Sequence, residues 1–156
     1  MPFYQEDQHS RVRADFVSHS DILKKRILKV IDREKKRIIG LCSKAVTIPS
    51  ENPPGRTTEM AQFLRDYIES QGLHAKIYEP QKDLPNVVAT VGSRSGPNLV
   101  FNAHMDVYPA ETGAGKWKVP LFSGKVTRGR IFGRGVSDMK GGLTSLILLF
   151  SIDISF

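Results

Sequence analysis

Three residues carry the chemistry in this sequence. A short apolar run, Asn98-Leu-Val-Phe-Asn-Ala103, ends in His104-Met105-Asp106, and Asp138 follows in the glycine-rich stretch Gly133-Arg-Gly-Val-Ser-Asp138-Met-Lys-Gly-Gly142. Residues two apart on an extended chain point to the same side, so the imidazole of His104 and the carboxylate of Asp106 share one environment. A histidine there can ligate a metal while the carboxylate sets its orientation and basicity. The competing reading is a hydrogen-bonded histidine at a strand end. Asp138 stands just before an apolar segment, where backbone donors and the positive end of a helix favour a carboxylate. A simple helix N-cap would use the same residue.

Other marked side chains are weaker candidates. Arg134 and Lys140 flank Asp138 and could attract an anionic substrate, but they read better as solvated loop charges. Trp117 either lines a cleft or anchors a long loop. His9, His19 and His74 lie outside the motifs and are not counted as ligands. Cys42 is the single cysteine, so there is no intrachain disulfide, and its apolar neighbours suit a buried thiol.

The elements that must position these residues follow from the pattern of apolar positions. Residues 1–20 show no clear period and read as a tail. From a cap at Ser20 or Asp21, Ile22, Leu23, Ile27, Val30, Ile31, Ile38 and Leu41 recur at helical spacing, with Lys and Arg opposite. Thr47–Gly55, with three prolines, must leave that helix. Thr57 or Thr58 begins a second helix with Met60, Phe63, Leu64, Tyr67 and Ile68 as its stripe, and Gly72 ends it. Strands are expected at 74–79, 86–91 and 99–103, the last two joined as a hairpin through Gly92–Pro97. A long connection, 107–123, precedes two short strands around Thr127-Arg-Gly-Arg130, and a last helix spans 139–150. The order implies an α/β fold with helices packed on a mixed β-sheet.

The bulk properties narrow the class. The 156 residues, 40% hydrophobic and 25% charged, suit one globular domain rather than two. The net charge of +7 is concentrated in Lys24–Arg37, where Asp21, Asp32 and Glu34 are interleaved. That interleaving points to a solvated helix face, not a nucleic-acid or membrane surface. The N-terminus lacks the apolar core of a signal peptide and no run reaches the length of a membrane span, so a cytoplasmic protein is expected.

Taken together, four motifs carry a family resemblance. Pro49-Ser-Glu-Asn-Pro-Pro-Gly55, His104-Met-Asp106, Trp117 with Pro120-Leu-Phe122-Ser-Gly124, and Gly129–Gly142 occur in that order. Over roughly residues 38–143 the chain resembles the N-terminal part of the aminoacylase, acetylornithine deacetylase and succinyl-diaminopimelate desuccinylase family of co-catalytic zinc hydrolases, which includes carboxypeptidase G-like peptidases. The resemblance implies an α/β zinc-peptidase (phosphorylase/hydrolase-like) catalytic domain. It makes His104 a zinc ligand, Asp138 the carboxylate bridging two metals, and Asp106 the catalytic carboxylate that supports His104. The implied cofactor is Zn2+, two per complete site, with Co2+ as a substitute, and the implied reaction is hydrolysis of an N-acyl amino acid or a peptide.

The resemblance also implies parts that these 156 residues do not accommodate: a Glu-Glu pair supplying the general base and a ligand, a later acidic ligand, a second histidine, and a dimerisation or lid domain. Residues 21–156 are therefore expected to be a truncated catalytic domain, inactive alone, with a homodimer only for a full-length parent. The ending Leu146–Phe156 fits a frameshift, a retained intron or a truncated gene. Two local departures touch no ligand: Tyr108 stands where the family more often has Val, and Val119-Pro-Leu-Phe122 replaces an acidic-Pro-Phe segment. A non-catalytic fragment that pairs its open sheet edge with a full-length homologue is the alternative.

Overall fold

A computed structural model describes residues 8–92, 95–109, 115 and 117–151, with side chains from residue 20 onward. The expectations for residues 1–7, for 110–114 and 116 of the long connection, and for the ending 152–156 lie outside the described residues. The described residues divide into two units, one up to Lys35 and the other from Lys36 onward.

Helix α1, Gln8–Thr47, begins twelve residues ahead of the earliest expected cap, Ser20. Its part in the first unit keeps Ile22, Leu23, Ile27 and Ile31 exposed. The helical period correctly marks an apolar face, but a period does not say what covers it.

In the second unit the end of α1 contributes Leu41 and Ala45, and Ile48 just beyond it, to a core shared with helix α2 (Thr58–Ser70) and helix α3 (Gly141–Ser151). Met60, Leu64 and Ile68 fall on one side of α2, and Leu143, Ile147 and Leu148 on one side of α3, as residues three and four apart must. Strand β1 (Ala75–Tyr78) pairs antiparallel with β2 (Asn86–Ala89), with Ala75 opposite Ala89, and sends Ala75 into the same core. Strands β3 (Lys125–Thr127) and β4 (Arg130–Phe132) form a tight hairpin. Its turn residues, Arg128 and Gly129, have φ of 50° and 72°, the left-handed pair that a two-residue hairpin requires.

The chain is α/β, with two separate two-stranded antiparallel sheets among the described residues in place of the expected mixed sheet. The expected hairpin between 86–91 and 99–103 is also not formed. β2 folds back on β1, and Asn98–Ala103 belongs to neither sheet, leaving Leu99 and Val100 about four-fifths exposed. An apolar run specifies extended backbone but not the strand beside it. Among the described residues, no helix is long and apolar enough to cross a membrane.

Candidate metal centre

The segment that presents His104 is anchored on both sides of it. Ala103 and Met105 pack against the core while His104 points outward, and Val107 is buried two residues beyond Met105. This is the alternation of an extended chain, and it puts Asp106 on the side of His104. The Ser50–Asn52 stretch grips the same segment. Val107 N donates to Ser50 O at 2.8 Å, Asn52 N to Val107 O at 3.0 Å, and Ser50 Oγ to Met105 O at 2.8 Å.

The second arm comes from the glycine-rich loop. Gly135 has φ of 79°, and a Cβ there would overlap Val107 Cγ1, while one on Gly133 would overlap Val46 Cγ1. Only glycine lets this loop lie against both the His104 segment and α1. The loop is held by Arg134 N donating to Leu121 O at 2.6 Å and Lys140 N to Gly135 O at 2.8 Å. It then runs through Val136–Lys140 into α3, with Asp138 and Met139 in non-helical backbone (φ of −135° and −130°).

The three expected residues meet. His104 Nδ1 lies 3.0 Å from Asp106 Oδ1, and His104 Nε2 lies 2.9 Å from Asp138 Oδ1. Asn52 Nδ2 donates to the other Asp106 oxygen, Oδ2, at 3.0 Å. The His104 backbone N–H donates to Met139 Sδ at 3.4 Å. Asp138 therefore places its carboxylate against the imidazole across 34 residues of sequence rather than spending it on a helix cap. Partial burial pushes the His104 pKa down, but the hydrogen bond to Asp138, the Asp106 carbonyl and the charge of both carboxylates outweigh it, so the net direction is up.

Lys140 corrects the expectation of a solvated loop charge. Its side chain is fully buried, and Nζ donates to Ala45 O at 3.0 Å in the last turn of α1 and to Ile48 O at 2.6 Å just past its end. A cation is favoured where helix carbonyls run out of partners. Burial drives its pKa down to about 8, only partly opposed by Cys42. Arg134 lies over the Trp117 ring at 5.2 Å. With Tyr108 and residues 133–138 they line a cleft of ≈ 240 Å³ reaching Asp138, so Trp117 does line a cleft. A wider cleft of ≈ 560 Å³, beside Arg56 and Glu59 at the start of α2, is lined by none of the three site residues.

Remaining candidates drop away. Burial pushes the Cys42 thiol up, against hydrogen bonding from Thr144 and the charge of Lys140, which disfavours a thiolate ligand. His74 precedes β1 and takes no part, while the side chains of His9 and His19 lie outside the described residues.

As a donor set, an imidazole nitrogen and a carboxylate oxygen suit zinc, and two atoms bound to one zinc at its usual bond lengths lie about 3.3 Å apart. The 2.9 Å between Nε2 and Oδ1 is close to that span. Asp106 Oδ1 is already committed to Nδ1, so two ligand atoms converge, and among the described residues no group of three or more His, Cys, Asp or Glu forms a metal cage. The arrangement fits zinc in kind and supplies part of its coordination.

Comparison with known proteins bears on the family. Residues 100–152 match the family described as Peptidase family M20/M25/M40. The chain is 36% identical over 125 residues to N-formyl-4-amino-5-aminomethyl-2-methylpyrimidine deformylase of Halalkalibacterium halodurans, a match covering 78% of this chain and 29% of that protein. It is 34% identical over 110 residues to a probable succinyl-diaminopimelate desuccinylase of Staphylococcus epidermidis, covering 70% and 26%. Over 65 residues it is 45% identical to succinyl-diaminopimelate desuccinylase of Methylobacterium radiotolerans, covering 42% and 16%. The chain thus spans less than a third of these relatives' length, and it is similar to part of a peptidase of the M20/M25/M40 family.

Proposed function

We propose that this chain carries part of the active site of a zinc-dependent amide hydrolase, an N-acyl amino acid deacylase or metallopeptidase, working in the cytoplasm. The observation behind this reading is the convergence of His104 Nε2 and Asp138 Oδ1 at 2.9 Å, with Asp106 on the other ring nitrogen. The relatives' names support the reaction class, since one is a deformylase and others are desuccinylases.

In this reading His104 and Asp138 would hold the metal, and Asp106 orients the imidazole. Zinc would supply Lewis acidity toward the amide carbonyl and activation of a water near neutral pH. Asp106 keeps the ring proton on Nδ1, leaving Nε2 as the donor atom. The cleft from Trp117 to Asp138 is where the acyl or peptide substrate would lie. Tight zinc binding takes three or four protein ligands, and with two at hand the activity is proposed for the whole protein rather than for these residues alone.

Zinc content after dialysis, together with hydrolysis of N-formyl, N-acetyl and N-succinyl amino acids by the chain and by a full-length relative, tests this. Retained zinc that is lost in His104→Ala supports the metal site. Zinc retention unaffected by that change would sink it.

A second reading, pairing with a full-length homologue, draws on exposed Leu99, Val100 and Phe101 in a segment outside both sheets. Co-purification of the chain with such a homologue, abolished by Val100→Pro, is its test.

A further inference from the structure

The Pro49–Gly55 motif has no chemical part in the reading above, yet its Asn52 reaches the site. We infer that Asn52 is a positioning residue for the metal centre: by fixing Asp106 it decides which nitrogen of His104 is free to bind a cation. The inference rests on the metal-site reading of the preceding section.

The geometry gives Asn52 a task that no other described residue is seen to share. Its Nδ2 donates to Asp106 Oδ2, the oxygen that His104 does not use. The donor is delivered with little freedom, because Asn52 N bonds to Val107 O, Val107 N to Ser50 O, and Ser50 Oγ to Met105 O. These bonds bracket Asp106 on both sides. A carboxylate whose Oδ2 is held cannot turn its Oδ1 away from the ring. Such an outer hydrogen bond to a carboxylate is charge-assisted and among the stronger kinds.

The consequence follows from proton counting. A neutral imidazole has one N–H, and here two carboxylates face its two nitrogens. With the proton on Nδ1, the Nε2 lone pair is available to a cation. With the proton on Nε2, it is spent on Asp138. The Asp138 side chain is 88% exposed and that of Asp106 32%, so water competes more for Asp138. Asn52 holds the balance toward Asp106.

The test reads the His104 tautomer by imidazole 15N NMR in the metal-free chain, at a pH above the end of its observed ring titration, and zinc affinity by chelator competition. Asn52→Ala and the near-isosteric, uncharged Asn52→Leu are expected to move the tautomer toward Nε2–H and to weaken zinc binding about 10- to 100-fold, as for other outer partners of metal ligands. Ser50→Ala, which loosens the same segment but keeps the amide, should leave the tautomer near wild type. An unchanged tautomer in both Asn52 variants, or an equal shift in Ser50→Ala, overturns the inference. If the tautomer shifts in the Asn52 variants while zinc affinity does not, the metal-site reading fails and the positioning role of Asn52 stands.

Discussion

His104 Nε2 lies 2.9 Å from Asp138 Oδ1, although the two residues come from an extended segment and a glycine-rich turn 34 positions apart. The contact exists because Ala103, Met105 and Val107 pin one arm while Gly135 lets the other close against Val107.

That contact sets a pH dependence. The folded His104 pKa is raised above its ordinary 6.5 by Asp138 and Asp106, against the opposing effect of burial. A raised pKa means the folded state holds the proton more tightly. Its stabilising contribution is complete below pH 6.5 and is lost as pH rises through the folded pKa. In metal-free protein, the difference in urea midpoint between wild type and His104→Gln is expected to shrink on that side. NMR titration of His104 reads the same shift directly.

Lys140 gives the opposite sign. Its folded pKa of about 8 lies below the usual lysine value, so between about pH 8 and 10.4 the unfolded chain binds more protons. Stability from this residue therefore rises with pH across that window. Urea midpoints measured from pH 7 to 10.5 should climb in wild type relative to Lys140→Met, which has no such proton to lose.

Removing the same side chain also uncaps α1. Lys140→Ala leaves Ala45 O and Ile48 O without their buried donor and opens a cavity. The expected loss is about 2–4 kcal/mol at neutral pH, read as a fall in denaturation midpoint.

Gly135→Ala tests the closure of the turn. A left-handed φ of 79° costs a non-glycine residue about 1 kcal/mol or more, and the new Cβ would collide with Val107 Cγ1. A loss of about 2 kcal/mol or more is expected, together with increased protease cleavage within 133–140. Gly129→Asn, in the β3–β4 turn with open space around it, should cost far less.

Much of the site was legible because its information is local. The i, i+2 rule brings His104 and Asp106 together, and the glycines around Asp138 announce a tight turn. What remained hidden depends on partners far along the chain. Lys140 looks like a loop charge until the carbonyls of Ala45 and Ile48, more than 90 residues away, are placed beside it. Asn52 meets Asp106 across 54 residues, and nothing in its own neighbourhood indicates that. The apolar run at Leu99–Phe101 identified extended backbone, but hydrophobicity alone could not choose between β1 and that run as the neighbour of β2. The same holds for Ile22–Ile31, whose helical face was readable and whose exposure was not.

The most direct test of the account is a zinc titration of the isotopically labelled chain, following the His104 ring nitrogens and the Asp138 carboxyl carbon together. The expected result is that Nε2 of His104 and the Asp138 carboxylate respond with a common dissociation constant, and that both responses vanish in His104→Ala and Asp138→Asn respectively with loss of binding. Zinc binding that leaves these two groups unmoved, or that survives both substitutions unchanged, would contradict it.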